Sequence, residues 1–260
     1  MARNHRTTNS TNSKAQKILT RLRRVFGQNT AYSGSETTPF RILVGTLLSA
    51  RTKDLTTARV AHALFSKYPD AKSLACAPLA DIERIIRPIG FFHAKSRYVK
   101  ALAQKLVAEF NGQVPDTMDA LVALPGVGRK TASCVLNYAF QKPAIAVDVH
   151  VHRISNWLQL VKTQTPEKTE DALKKIYPER QWRYLNNVLV LHGQNVCLPQ
   201  RPKCEICVLN EICPAKRHPP EMPLRARFLE SRAVFNQSWR VQGFQDHNRP
   251  VPLVEKNENR

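Results

Sequence analysis

The chain has 260 residues, enough for one large domain or two of ordinary size, each with its own hydrophobic core. Its 40 Lys and Arg residues against 20 Asp and Glu residues give a net charge of +20. Such an excess indicates a polyanionic partner rather than mere solubility, and nucleic acid is the commonest one. An anionic membrane surface is the alternative. We find no apolar run of bilayer-spanning length and no convincing basic amphipathic helix or lipidation signal, so we expect no membrane partner.

Residues 1–15 are polar and low in complexity, and they predict a disordered basic arm. From there to about residue 194 the apolar residues recur with helical spacing. The clearest stripe runs through residues 94–110, and Asn111-Gly112 ends it. Thr165-Pro166 has the form of a helix cap followed by a proline in the first turn. Because sustained two-residue alternation is missing, the sequence predicts an all-α protein, followed by a tail over residues 215–260 whose structure it leaves open.

The most informative stretch is Leu124-Pro125-Gly126-Val127-Gly128-Arg129-Lys130-Thr131-Ala132. We expect a short helix to end at Leu124, since Pro125 cannot continue it, and a second helix to begin near Arg129. This is a helix–hairpin–helix motif over about residues 117–140. Its glycines leave no side chain between backbone and partner, and the second helix offers free N–H groups to a phosphate oxygen. An ordinary tight turn is the alternative. The residues expected to bind DNA are Gly126, Val127, Gly128, Arg129 and Thr131, with the Val127 side chain packing inward.

Two residues near this motif, Lys130 and Asp148, are candidates for catalysis. Lys130 directly follows the hairpin, so it could contact a further phosphate. It could also be a nucleophile, which requires surroundings that lower the pKa of its amine. Asp148 lies in Ala146-Val147-Asp148-Val149-His150, at the expected start of another helix, where capping is the simple interpretation.

Four of the six cysteines lie in one short loop with the spacing C-x6-C-x2-C-x5-C: Cys197, Cys204, Cys207 and Cys213. A chain of this size without an apparent export signal is expected in a reducing compartment, so clustered thiols indicate a metal centre rather than disulfides. Zinc ribbons use two separated C-x2-C pairs, and this spacing departs from them. Arg201 and Lys203 would face phosphates if the loop docks on DNA, with simple solvation as the alternative. The separate Cys76 and Cys134 are interpreted as small core residues.

These motifs resemble the endonuclease III family of the helix–hairpin–helix (HhH-GPD) glycosylase superfamily over roughly residues 16–214. The matching segments are Leu47-Leu48-Ser49-Ala50, Ile89-Gly90-Phe91 with Lys95, residues 124–132, residues 146–153 and the four cysteines. The resemblance implies a six-helix barrel lobe over residues 40–150 that carries the hairpin. It implies a second lobe, made of residues 16–39 and 151–214, with a [4Fe–4S] cluster on the cysteine loop. A DNA-binding groove would lie between the two lobes.

The resemblance also implies a function, a bifunctional DNA glycosylase and AP lyase of base excision repair. Such an enzyme removes oxidised pyrimidines from double-stranded DNA and cleaves the strand 3′ to the abasic site by β-elimination. Lys130 takes the position of the Schiff-base nucleophile and Asp148 that of the catalytic carboxylate. We expect a monomer located in the cytoplasm on chromosomal DNA, or in the nucleus if the chain is eukaryotic.

Other positions match the family less closely. Where the family has a glutamine that fills the gap left by a flipped base, this chain has Arg51, which leaves the opposite-base preference open. Phe91 lies at the apolar wedge position, although a core aromatic is the alternative and Phe92 is adjacent. His150 and Arg153 match positions near the DNA. A mismatch glycosylase for uracil, thymine or adenine is the second candidate function, and a non-catalytic, structure-specific DNA-binding protein is the third.

Overall fold

The structure of the protein is a computed structural model that describes residues 3–27, 38–52 and 54–215, with side chains from residue 12 and without that of residue 54. The described ranges contain helices and no strand, which confirms the predicted all-α class. Of the predicted tail over residues 215–260, residues 216–260 lie outside the described part of the chain. The helices are α1 (Arg3–Phe26), α2 (Pro39–Ser49), α3 (Asp54–Lys67), α4 (Ala71–Cys76), α5 (Leu79–Ile86), α6 (Phe92–Phe110), α7 (Met118–Val122), α8 (Arg129–Ala139), α9 (Val149–Trp157), α10 (Pro166–Ile176), α11 (Glu179–Asn195) and two 3₁₀ helices, Cys204–Ile206 and Asn210–Ile212.

Helices α2 to α8 enclose one hydrophobic core, which extends in the chain from Phe40 to Ala144. Helix α6 packs against α2, α4 and α5 through the stripe that its sequence predicts. It ends where expected, because Asn111 and Gly112 both adopt left-handed backbone angles, with φ of 51° and 78°. Among the two cysteines expected in cores, Cys134 is buried but Cys76 is exposed, because it lies in the last turn of the short α4.

A second hydrophobic core is built from residues near both ends of the described part of the chain. Helix α1 packs against α10 and α11 and contributes residues from Ala15 to Phe26, while the rest comes from Ile145 to Leu209. The hydroxyl of Tyr177 donates to the Ala15 carbonyl at 3.2 Å. Helix α1 begins at Arg3, whereas the sequence predicts a disordered arm over residues 1–15. Once the apolar turns are anchored, each further residue adds a backbone hydrogen bond at little cost, which explains how a polar stretch continues a helix.

The ends of the helices around the site follow local capping rules. The Thr165 side chain accepts from the Lys168 N–H, and Pro166 lies in the first turn of α10, as predicted. Asn137 at the end of α8 exchanges hydrogen bonds with the backbone of Ala144, and Asn186 donates to the Ala146 carbonyl at 2.6 Å. These bonds fix the extended segment that leads into α9. Within the described part of the chain, no helix is both long and apolar enough to cross a bilayer.

Candidate active site

The hairpin between α7 and α8 has the backbone that its sequence predicts. Helix α7 ends at Val122, two residues earlier than expected, and a turn leads through Pro125. Gly126 has φ of 75°, a left-handed angle that favours glycine. Val127 is buried in the first core, as predicted. Gly128 caps α8 and has no side chain to cover its first N–H groups, so a phosphate oxygen can approach them.

Tyr98 on α6 packs directly against this hairpin. A methyl group added to Gly126 would lie 2.9 Å from Cβ and Cγ of Tyr98, closer than real carbon contacts allow. The tyrosine nevertheless keeps 49% of its surface exposed. The sequence analysis missed this residue, because the spacing of α6 does not reveal which tertiary partner an exposed position will meet.

Lys130 and Asp148 lie at the beginnings of two different helices. Lys130 is exposed in the first turn of α8, and Asp148 is the N-cap of α9, where its carboxylate accepts from the N–H groups of His150 and Val151, each at 2.9 Å. Both charges act on the thiol of Cys134, which lies one turn after Lys130. Burial raises the pKa of Cys134, while the charge of Lys130 lowers it and that of Asp148 raises it. Lys130 directly follows the hairpin in the chain, and Asp148 precedes α9.

His150 connects α9 to the neighbouring helices. Its Nδ1 lies 3.3 Å from a guanidinium nitrogen of Arg153. Burial lowers the pKa of His150, opposed by Asp148 and assisted by Arg153. Its ring fills the space above Gly193 of α11, where an added methyl group would lie 2.5 Å from Nδ1. The neighbouring His152 faces away, with Nδ1 2.7 Å from the Thr169 hydroxyl.

Arg129 has a partner inside the protein. Its guanidinium donates to both carboxylate oxygens of Glu170 on α10, at 3.1 and 3.3 Å, and Lys174 pairs with the same carboxylate. The Glu170 side chain is only 5% exposed. This ion pair ties the start of α8 to α10, a role that the sequence analysis missed. The contact of Arg129 with DNA stays a prediction, as does that of Thr131 in the same helix turn.

Arg51 and Phe91 form one exposed patch. Both have left-handed backbone angles, with φ of 54° and 60°. The Arg51 guanidinium lies over the Phe91 ring, 5.6 Å from its centroid. Phe91 keeps 63% of its surface exposed, whereas the adjacent Phe92 packs against the first core, which decides between the two rings.

The cysteine loop builds a site of a different kind. All four cysteines of the loop line one cavity, together with Trp157 and His192. A [4Fe–4S] cluster takes one thiolate at each of its four irons, and the four thiols that line this cavity supply that set of ligands.

Arg153 and His192 contact the cysteine loop from two sides. Arg153 donates to the Cys197 carbonyl at 2.9 Å and lies 3.7 Å from its sulfur. His192 lies 3.7 Å from the Cys207 sulfur, and burial lowers the pKa of His192 to about 3, so this ring is neutral near pH 7. The positive charge of Arg153 and the neutral ring of His192 both suit a metal centre that is bound by thiolates.

Comparison with known proteins assigns this arrangement to a class. The family model described as "HhH-GPD superfamily base excision DNA repair protein" matches residues 44–179, and the "Iron-sulfur binding domain of endonuclease III" matches residues 197–213. Endonuclease III of Thermotoga maritima is 47% identical over 178 residues, covering 68% of this chain and 84% of that protein. Endonuclease III of Escherichia coli K12 is 35% identical over 210 residues, covering 78% and 96%. A trapped covalent intermediate of endonuclease III with DNA has a TM-score of 0.74 at 33% identity, covering 78% and 96%.

The chain therefore belongs to the endonuclease III family. It is a base excision repair enzyme with DNA glycosylase and AP lyase activity, it binds DNA, and its cysteine loop holds a [4Fe–4S] cluster. The predictions of family, fold class, activity and cluster are confirmed.

Proposed function

We propose that Lys130 is the nucleophile and Asp148 the catalytic carboxylate of an enzyme that removes oxidised pyrimidines from duplex DNA. The observation that carries this assignment is that Lys130 lies exposed in the first turn of α8, directly after the hairpin, while the Asp148 carboxylate caps the start of α9. Support comes from the relative trapped as a covalent intermediate with DNA, at 33% identity over most of this chain.

The chemistry follows from one amine and one carboxylate. Asp148 takes a proton from the Lys130 ammonium, and the neutral amine attacks C1′ of the flipped nucleotide. The C1′–N bond breaks, and the base leaves with a proton from solvent. The C1′–O4′ bond of the resulting aminal then opens, with a proton passing from the lysine nitrogen to O4′, and the protonated imine that forms acidifies the C2′ hydrogen. Its removal breaks the C3′–O bond, so the strand is cut 3′ to the lesion, and water then hydrolyses the imine to regenerate Lys130.

The start of α9 keeps the carboxylate of Asp148 ready for this role. Two backbone N–H groups orient the carboxylate at the positive end of the helix. Once the lysine proton has passed on to solvent, the negative charge of the carboxylate stabilises the positive charge that develops on the sugar as the base departs. His150, whose burial lowers its pKa, stays neutral nearby and adds no competing positive charge.

Other predicted residues fit a shared binding surface. The amides of Gly126 and Gly128 hold a phosphate, with Val127 anchoring the hairpin from within. Arg51 and Phe91 enter the duplex where the nucleotide leaves it, and Arg153 holds the cluster loop against α9. The cluster maintains this loop, on which Arg201 and Lys203 face the phosphates.

Borohydride trapping on a duplex with an abasic site tests the nucleophile, because reduction of the imine leaves a covalent adduct. We expect the wild-type protein and Lys105→Ala to form the adduct and Lys130→Ala to form none. Lys105 is the matched control, since its amine also lies near the hairpin and donates to the Ala123 carbonyl. An adduct that persists in Lys130→Ala refutes the assignment.

A lesion panel tests the substrate. One set of duplexes carries an oxidised pyrimidine, thymine glycol or 5-hydroxycytosine. The other set carries a mispaired base: uracil or thymine opposite guanine, or adenine opposite 8-oxoguanine. The opposite base is varied in turn. We expect the oxidised pyrimidines to be excised fastest. Faster excision from the mismatches favours the second candidate function, and binding without excision favours the third.

A further inference from the structure

The ammonium group of Lys95 is enclosed next to the segment that carries Arg51. Lys95 lies on α6 with 6% of its surface exposed. Its Nζ donates to the carbonyls of Leu48 and Ala50, at 2.8 and 2.6 Å, and to the Thr52 hydroxyl at 3.1 Å. Burying an ammonium costs several kcal/mol unless such acceptors surround it. Two of the three acceptors belong to the residues on either side of Arg51.

The acceptors also explain why the cation lies there. Leu48 and Ala50 belong to the C-terminal end of α2, where unpaired carbonyls give the helix its negative pole. Burial lowers the pKa of Lys95, and the charge–dipole attraction opposes that loss. The lysine therefore caps α2 from a different helix and defines where the chain goes after residue 49.

The same residue contacts the Phe91 segment through its backbone. The Lys95 N–H donates to the Phe91 carbonyl at 3.0 Å, in the first turn of α6. Arg51 and Phe91 both hold left-handed angles, which cost a non-glycine residue about 1–3 kcal/mol and persist only where surrounding contacts impose them. The Lys95 side chain bonds the Arg51 segment, and the Lys95 backbone bonds the Phe91 segment. The cation–π contact between the exposed Arg51 and Phe91 side chains links the two segments directly.

We propose that Lys95 is a positioning residue that holds Arg51 and Phe91 as one preassembled wedge and so sets the rate at which a damaged nucleotide leaves the duplex. The proposal rests on the wedge roles assigned above. In a preassembled wedge the two side chains lose conformational entropy when the protein folds and not when it binds DNA. This favours their insertion between the stacked bases.

Lys95→Met and Lys100→Met form a matched pair of variants. Lys100 lies on the same helix and donates to the Ala77 carbonyl at 2.7 Å, away from Arg51 and Phe91. The readouts are single-turnover excision of thymine glycol from a duplex and cleavage of an abasic site in single-stranded DNA, where nothing has to leave a stack. We expect Lys95→Met to slow duplex excision about 10- to 100-fold, because small misplacements cost rates of this order. Single-strand cleavage stays at the wild-type rate, and Lys100→Met changes neither rate.

A triple variant, compared with the double variant Arg51→Ala/Phe91→Ala, separates positioning from general damage. Adding Lys95→Met to Arg51→Ala and Phe91→Ala is expected to slow excision no further than those two substitutions alone, since the wedge is already lost. Fully additive losses, or equal effects of Lys95→Met and Lys100→Met, overturn the proposal. If Lys95→Met does not fold, Thr52→Val removes one acceptor, and the same selective slowing is expected at a smaller size.

Hydrogen exchange of the free protein tests the contact without any activity. Peptides covering residues 48–52 are expected to exchange faster in Lys95→Met than in Lys100→Met or wild type, whereas residues 89–92 keep their backbone bond to residue 95 and change less. Unchanged exchange overturns the positioning role whatever the kinetics show. A different result is that exchange increases but Arg51→Ala and Phe91→Ala excise at the wild-type rate. In that case the wedge roles assigned to Arg51 and Phe91 are wrong, and Lys95 does not set the rate at which the nucleotide leaves the duplex.

Discussion

Replacing Gly193 by alanine is expected to destabilise the protein, although alanine is normally the better helix former. Gly193 lies inside α11, and an added Cβ would lie 2.5 Å from Nδ1 and 2.9 Å from Cβ of His150. The Cβ of His150 is fixed by the backbone of α9, so a rotation of the ring alone does not relieve the contact. The two helices have to separate, and Asp148 at the start of α9 moves with them.

The expected size follows from three contributions. Alanine gains about 0.5–1 kcal/mol over glycine in a helix interior. Overpacking costs about 1–3 kcal/mol, and losing the contact between His150 and Arg153 costs about 0.5–1.5 kcal/mol. The net loss is about 0.5–4 kcal/mol, and each kcal/mol lowers Tm by about 2–4 °C in a chain of this size.

Urea unfolding followed by circular dichroism measures this loss, and Gly45→Ala is the control. Gly45 also lies inside a helix, α2, but nothing lies within 4 Å of a Cβ added there. It is expected to gain about 0.5–1 kcal/mol. Base excision should fall in Gly193→Ala and stay unchanged in Gly45→Ala. Equal stabilisation of both variants would refute the packing argument.

Three further outcomes are expected. Asp148→Ala loses the helix cap and about 1 kcal/mol of stability, whereas Asp148→Asn keeps the cap, unfolds like wild type in urea and loses base excision. Gly126→Ala meets Tyr98 and a left-handed angle, so it weakens duplex binding in fluorescence anisotropy; wild-type affinity would contradict the assigned role of the hairpin. Glu170→Gln weakens the pair with Arg129 and lowers the unfolding free energy by about 1–2 kcal/mol, a loss that Arg129→Met should largely reproduce.

The sequence was most informative where local rules determine the structure. Apolar spacing located α6, and the Thr165 and Asn111 signals located helix ends, because caps depend on near neighbours in the chain. The hairpin was recognised for the same reason, since only glycine readily adopts the angle at residue 126. Asp148 was recognised as a possible cap from its place before a helix, and it is one.

The parts that were missed depend on contacts between distant segments. Nothing near Arg129 in the chain indicates a carboxylate on α10, and nothing near Lys95 indicates that its ammonium meets the end of α2. The left-handed angle of Arg51 is imposed by such contacts and contradicts its own preference. Cys76 was misjudged because a short helix leaves part of each turn in solvent.

The two cores are distributed differently along the polypeptide. The first uses one uninterrupted stretch, from Phe40 to Ala144, whereas the second needs α1 from one end and the cysteine loop from the other. During synthesis the first core has all its residues once Ala144 has emerged from the ribosome. Helix α1 is translated before α10, α11 and the cysteine loop, so it can pack into the second core only after they emerge. A chain truncated after α8 lacks α10 and α11, and the apolar face of α1 is then left without the helices it packs against.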